Sequence, residues 1–174
     1  MDFEIELLKE HTYENSERIA WYAMDHPETF PDLLKLFSGK DSRITQRATL
    51  AIIICTEWKP KMVKPYIEQM ILNLKNKDIS GAVKRNTTRI LAEFPIPKHM
   101  EGILTEVCFE YLNNMSEAVA IRIFSMIILE RIVEKYPELK SELILSIERG
   151  MEFGSAGFRN RGGKILAKFK IKKI

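Results

Sequence analysis

The chain has 174 residues, 45% hydrophobic and 29% charged: enough apolar side chains for a packed core and too many for a disordered segment. Its 27 Lys and Arg against 24 Asp and Glu leave a net charge of +3, which by itself implies no polyanionic partner. The longest apolar run, Leu50 to Cys55, is far short of a membrane span, and Cys55 and Cys108 are too few for a disulfide framework and lack nearby histidines for zinc. The opening Met1-Asp2-Phe3-Glu4-Ile5-Glu6 is acidic where a secretory leader is basic and then apolar. A cytoplasmic chain is expected, with no membrane contact, no metal and no cofactor.

Apolar residues recur at three- and four-residue spacing, as in Met62, Val63, Tyr66, Ile67, Met70, Ile71 and Leu74, and nothing alternates as a strand would. Pro27, Pro31, Pro60, Pro95, Pro97 and Pro137, with Gly39 and Gly150, mark segment edges. Helices are predicted near residues 2–11, 15–25, 28–38, 42–56, 61–75, 80–94, 98–113, 116–135, 138–151 and 156–169. Short connections join them, so one all-α domain over residues 1–174 is expected.

Four of these segments repeat without gaps, starting at Asp41, Ser80, Ser116 and Ser155 and separated by 39, 36 and 39 residues. Three residues in stand Ile44, Val83, Val119 and Phe158; seven in stand Ala48, Thr87, Ile123 and Gly162, mostly small. Ten and eleven in stand Ala51-Ile52, Ile90-Leu91, Met126-Ile127 and Ile165-Leu166. Each segment adjoins a further amphipathic helix, so the unit is a helical hairpin that buries its faces only by stacking on neighbours. A degenerate fifth unit is predicted over residues 1–26.

At these columns the chain resembles HEAT repeats: Asp41-Ser42-Arg43-Ile44 with Ala48 and Ala51-Ile52, Val83-Lys84 with Thr87 and Ile90-Leu91, and Phe158-Arg159 with Ile165-Leu166. The resemblance implies a right-handed α-α superhelix, a HEAT-like solenoid of about five helical hairpins, serving as a binding scaffold. The unit at Ser116 departs from it, with Ala120 where a basic residue is usual. The chain is also similar to short bacterial HEAT-like proteins, some labelled adenylosuccinate lyase, at Cys108-Phe109-Glu110-Tyr111, Ser125-Met126 and Phe158-Arg159-Asn160-Arg161. The Ser-Ser-x-Met-Pro-x-Lys-x-Asn loop of true lyases has no counterpart in it.

No residue set converges on catalysis. His11, His26 and His99 are far apart at predicted helix edges, where surface histidines are expected, and the cysteines lie on apolar faces as inert thiols. Gly163-Lys164 imitates the end of a phosphate loop, but Phe158 stands where its first glycine belongs and Ile165 replaces the hydroxyl. Gly162 and Gly163 are read instead as helical, explained by close packing or by fraying. Trp58, before Pro60, is expected to pack or cap.

Charge placement says more. Residues 1–32 carry a net charge of −7, and residues 154–174 carry +7 through Arg159, Arg161, Lys164, Lys168, Lys170, Lys172 and Lys173. On a helical wheel with the Ile44-type column at zero, Arg47, Asn86, Arg122 and Arg161 fall near about −60°, Lys168 near about −80°, and Arg43, Arg89 and Lys164 at about −100° to −120°. Arg43, Arg47, Arg89, Arg122, Arg161, Lys164 and Lys168 thus form a candidate basic groove on the second helices, which line the concave side of solenoids. The alternative is ordinary helix faces, paired with acids.

The expected function is a non-enzymatic scaffold that binds a protein or peptide partner through the concave face, its oligomeric state left open. The alternative is a nucleic-acid-binding protein, a lesion sensor or glycosylase-like, in which six phosphate contacts would give a log–log salt slope of about −5. The glycine-bearing last helix is expected to be ordered through about Phe169, to act as the C-terminal cap and to open first.

Overall fold

The computed structural model describes residues 1–170, which form helices and the turns between them, with no strand among them. They divide into two compact units, residues 1–90 and residues 91–170.

The first unit contains α1 (Phe3–Lys9), α2 (Tyr13–Asp25), α3 (Phe30–Phe37), α4 (Ser42–Trp58), the short α5 (Pro60–Val63), α6 (Ile67–Leu74) and most of α7 (Gly81–Glu93). Helix α4 packs on α1, α2 and α3, and its face of Ala48, Ala51, Ile52 and Cys55 is fully buried. The segment predicted as one helix over 61–75 is interrupted by a 3-10 turn at Lys64–Tyr66. The cause is Pro65, which has no N–H to donate and clashes with the preceding turn.

The second unit contains α8 (Glu101–Asn113), α9 (Val119–Lys135), α10 (Lys140–Met151) and α11 (Ala156–Lys170). Helix α9 packs along α8, and α11 lies on both α9 and α10. Its core includes Leu104, Cys108, Ile121, Leu129, Leu143, Ile147 and Phe158, each essentially without solvent contact. Helix α11 extends one residue past the expected Phe169; Lys172 and Lys173 lie outside the described residues.

The repeat columns have a physical meaning. Asp41, Ser80 and Ser155 stand at helix starts, their side chains accepting from the backbone N–H of Ile44, Val83 and Phe158. Ser116 does not. There Asn114 accepts from the Ser116 N–H at 3.0 Å in a turn, and α9 starts only at Val119 with an uncapped Ala118 before it. Val119 is 41% exposed, whereas Ile44, Val83 and Phe158 are buried. The predicted start at 116 is therefore three residues early.

Candidate functional site

The seven residues of the candidate basic groove separate by their angle on the wheel. In the first unit Arg47, beside the buried arc, donates from Nη1 to the carbonyls of Leu7 (2.7 Å) and Leu8 (3.2 Å), closing the end of α1. Asn86, in the same column, is buried and donates to the Thr45 carbonyl at 3.5 Å. Arg43 and Arg89, about 40–60° farther round, are exposed.

The second unit repeats this division. Arg122 is only 3% exposed: its Nε donates to the Leu112 carbonyl at 3.1 Å and its guanidinium carbon lies 4.6 Å from the centre of the Phe158 ring. Arg161 pairs with Glu130, and Lys168 pairs with Glu130 at 2.8 Å and with Glu134. These acids hold the Lys168 ammonium above its ordinary range, Glu130 contributing most. Lys164 is exposed. Within the units, then, Arg47, Arg122, Arg161 and Lys168 are taken up by helix ends and carboxylates, while Arg43, Arg89 and Lys164 face water.

Two further basic side chains cap helices, and the wheel did not single them out. Lys59 donates to the Met24 carbonyl at 2.6 Å, and Arg131 donates to the carbonyls of Leu91, Ala92 and Phe94 at 3.0, 2.6 and 3.0 Å. Each cation sits where a helix leaves its last carbonyls unpaired and its dipole negative. Arg131 stands one helical turn past Ile127 on α9; its position on the core side was the available signal.

Burial pushes both thiols up to about 12, so Cys55 and Cys108 stay protonated at neutral pH. Among the described residues no group of three or more His, Cys, Asp or Glu could hold a metal ion. Nor is any helix there long and apolar enough to cross a membrane.

Trp58 packs as expected, but on another surface ring. It neither fills the core nor caps: it is 64% exposed, Trp21 is 43% exposed, and the two rings lie 5.7 Å apart, tilted by 46°. They come from α2 and from the end of α4, the second helices of successive hairpins. A separate apolar cavity of about 310 Å³ opens between α3 and α6, against Pro31, Leu34, Phe37, Tyr66 and Met70.

No curated protein and no solved structure matches the chain. A family model described as a HEAT repeat domain matches residues 3–169, running through the boundary between the two units. With its paired helices, capped repeat starts and interlocking cations, the chain belongs to the HEAT repeat family.

Proposed function

We propose that this HEAT-repeat chain is a non-enzymatic scaffold that holds a protein or peptide partner on the exposed side of its second helices, the side that solenoids make concave. The observation that carries this reading is the Trp21–Trp58 pair. Two large aromatic side chains left 43% and 64% exposed cost solubility and lie outside the core. Tryptophan is also the side chain most enriched among residues that dominate binding energy at protein interfaces.

The test is capture from native lysate with cross-linking, comparing the native chain with a Trp21→Ala, Trp58→Ala double variant. The double variant should lose the partner by more than thirtyfold, about 2 kcal/mol or more at a hot spot. Its melting temperature should fall only modestly, because neither ring lies in the core. Undiminished capture, or cross-links confined to α3, α6, α8 and α10, would remove the support for this surface. Trp21 and Trp58 are the only tryptophans, so intrinsic fluorescence reports on the same contact directly.

A further inference from the structure

Arg122 is a buried cation without a counter-ion. Its guanidinium has five N–H donors. Nε uses one on Leu112, and Nη2 points at the Met115 sulfur at 3.1 Å, a weak acceptor. Among the described residues no carboxylate pairs with it, in contrast to Arg161 and Lys168 on α11. A charge withdrawn from water without a partner is costly, and proteins keep one where something else completes it.

The remaining edge of the guanidinium looks into a cavity of about 390 Å³ between the ends of α8 and α10, within the usual range for small-molecule sites. Gly150 creates the room: a Cβ there would lie 2.9 Å from Arg122 Nη2 and 2.5 Å from the Phe158 ring. Phe158 lies against one side of the guanidinium, and the planar fork of the remaining N–H groups matches a carboxylate. The cavity is also lined by Met115, Ser146 and the exposed Phe153, with Arg149 and Glu152 at its rim. Two guanidiniums and one carboxylate leave a single net positive charge, suited to a monoanion. The lining is mostly apolar.

We infer that the second unit carries a binding site for a single carboxylate borne on an apolar body, with Arg122 as its anchor, Arg149 as the rim cation and Met115 and Phe153 as the apolar walls. The chemistry is shared by a free small acid and by the C-terminal carboxylate of an apolar peptide. The site is independent of the tryptophan surface in the first unit, so either reading can fail alone.

The probe is 3-phenylpropanoate, titrated into the full chain at low salt and followed by the Nε–H resonance of Arg122 and the amide resonances of Gly150 and Phe153. Saturable shifts are expected, with at least tenfold weaker binding of the matched neutral 3-phenylpropanamide. Arg122→Met should abolish the preference for the acid over the amide, while Arg149→Gln, at an exposed position, should weaken the acid about threefold. Should Arg122→Met fail to fold, the acid–amide comparison on the native chain and Arg149→Gln still decide. Ala-Ala-Phe with a free C-terminus, but not its amide, displacing the probe would identify a peptide end as the source. Failure of the peptide alone would identify a free acid. Equal binding of acid and amide, unmoved resonances, or tighter binding of inorganic phosphate than of the probe would overturn the inference.

Discussion

Arg131 shows how one side chain can replace a missing turn of helix. Its three hydrogen bonds to Leu91, Ala92 and Phe94 satisfy carbonyls that have no further N–H along the chain. Truncating it to Met should destabilise the second unit by about 2–3 kcal/mol, measured by urea titration, since charged donors contribute about 1.5–3 kcal/mol and their acceptors are left buried. Lys at this position should recover only part of the loss, because a single ammonium cannot span the three acceptors as a planar fork does. The adjacent glycines of α11 differ in the same local way. A Cβ on Gly162 would meet Ile147 at 2.9 Å and the Met151 sulfur at 3.1 Å, whereas one on Gly163 would meet nothing within 4 Å. Close packing thus accounts for Gly162 and not for Gly163. Gly163→Ala should raise stability by about 0.5–1 kcal/mol and Gly162→Ala should lower it; a thermal melt that moves both the same way would contradict the assignment. On the wheel the column near about −60° sits about 40° from the buried Ala51-type column, close enough that Arg47, Asn86, Arg122 and Arg161 reach neighbouring helices. What it cannot give is the acid on another helix. Glu130 is on α9 and is met by Arg161 and Lys168 of α11, a pairing that only packing creates.

Between hairpins the helices are joined by a recurring device. His26, Lys59 and Tyr136 close α2, α4 and α9 with φ near −124°, −131° and −125° and ψ of 69°, 60° and 77°. Each precedes a proline, whose ring excludes the helical conformation from the residue before it. Pro27 and Pro137 then open a 3-10 turn that leads into α3 and α10, while Pro60 opens α5. These joints were legible as Pro27, Pro60 and Pro137 at segment edges; the 3-10 turn at Pro65 was not, because the apolar stripe runs through it without a break. Between elements, burial matters as much as geometry. Glu101 in the first turn of α8 is 4% exposed and is held by Lys135 and by the Tyr136 hydroxyl at 2.7 Å, where α9 ends. The ammonium first, then the hydroxyl, keep its carboxyl below the ordinary value of 4.5. A carboxyl lowered by folding stabilises the native state at all pH values above its unfolded pKa, and this contribution drains away as pH falls through the folded value. Glu101→Gln should therefore cost about 2 kcal/mol at neutral pH and progressively less below pH 4.5, so that the two denaturation curves converge in acid. A constant gap down to pH 2 would assign the effect to packing instead.

At the scale of the whole chain, net charge and usable charge diverge. The +7 of residues 154–174 suggests a polyanion-binding end, but Arg161, Lys168 and Lys170 are paired with Glu130, Glu134 and Glu148. Across the seven residues of the predicted groove, Arg47 and Arg122 are occupied by carbonyls as well. Among the seven, only Arg43, Arg89 and Lys164 are exposed with neither a carboxylate nor a carbonyl partner among the described residues. This separates the scaffold reading from the nucleic-acid reading in one measurement. Each phosphate neutralised on duplex DNA contributes about −0.9 to the slope of log affinity against log salt, so seven contacts would give about −6 and three about −2.7. Fluorescence anisotropy with a labelled duplex between 50 and 200 mM salt is expected to show weak binding with a slope no steeper than about −3. Charge reversal at Arg43 and Arg89 should flatten it further, whereas Arg47→Met, which removes a helix cap, should lower stability and leave the slope unchanged. A slope of −5 or steeper would mean that the Glu130 and Glu134 pairs open to release their cations to phosphate. Hydrogen exchange over residues 156–169 would register that opening as faster exchange on adding DNA, and slower exchange there with a shallow slope would place the contact on the exposed Arg159 and Lys164 of α11.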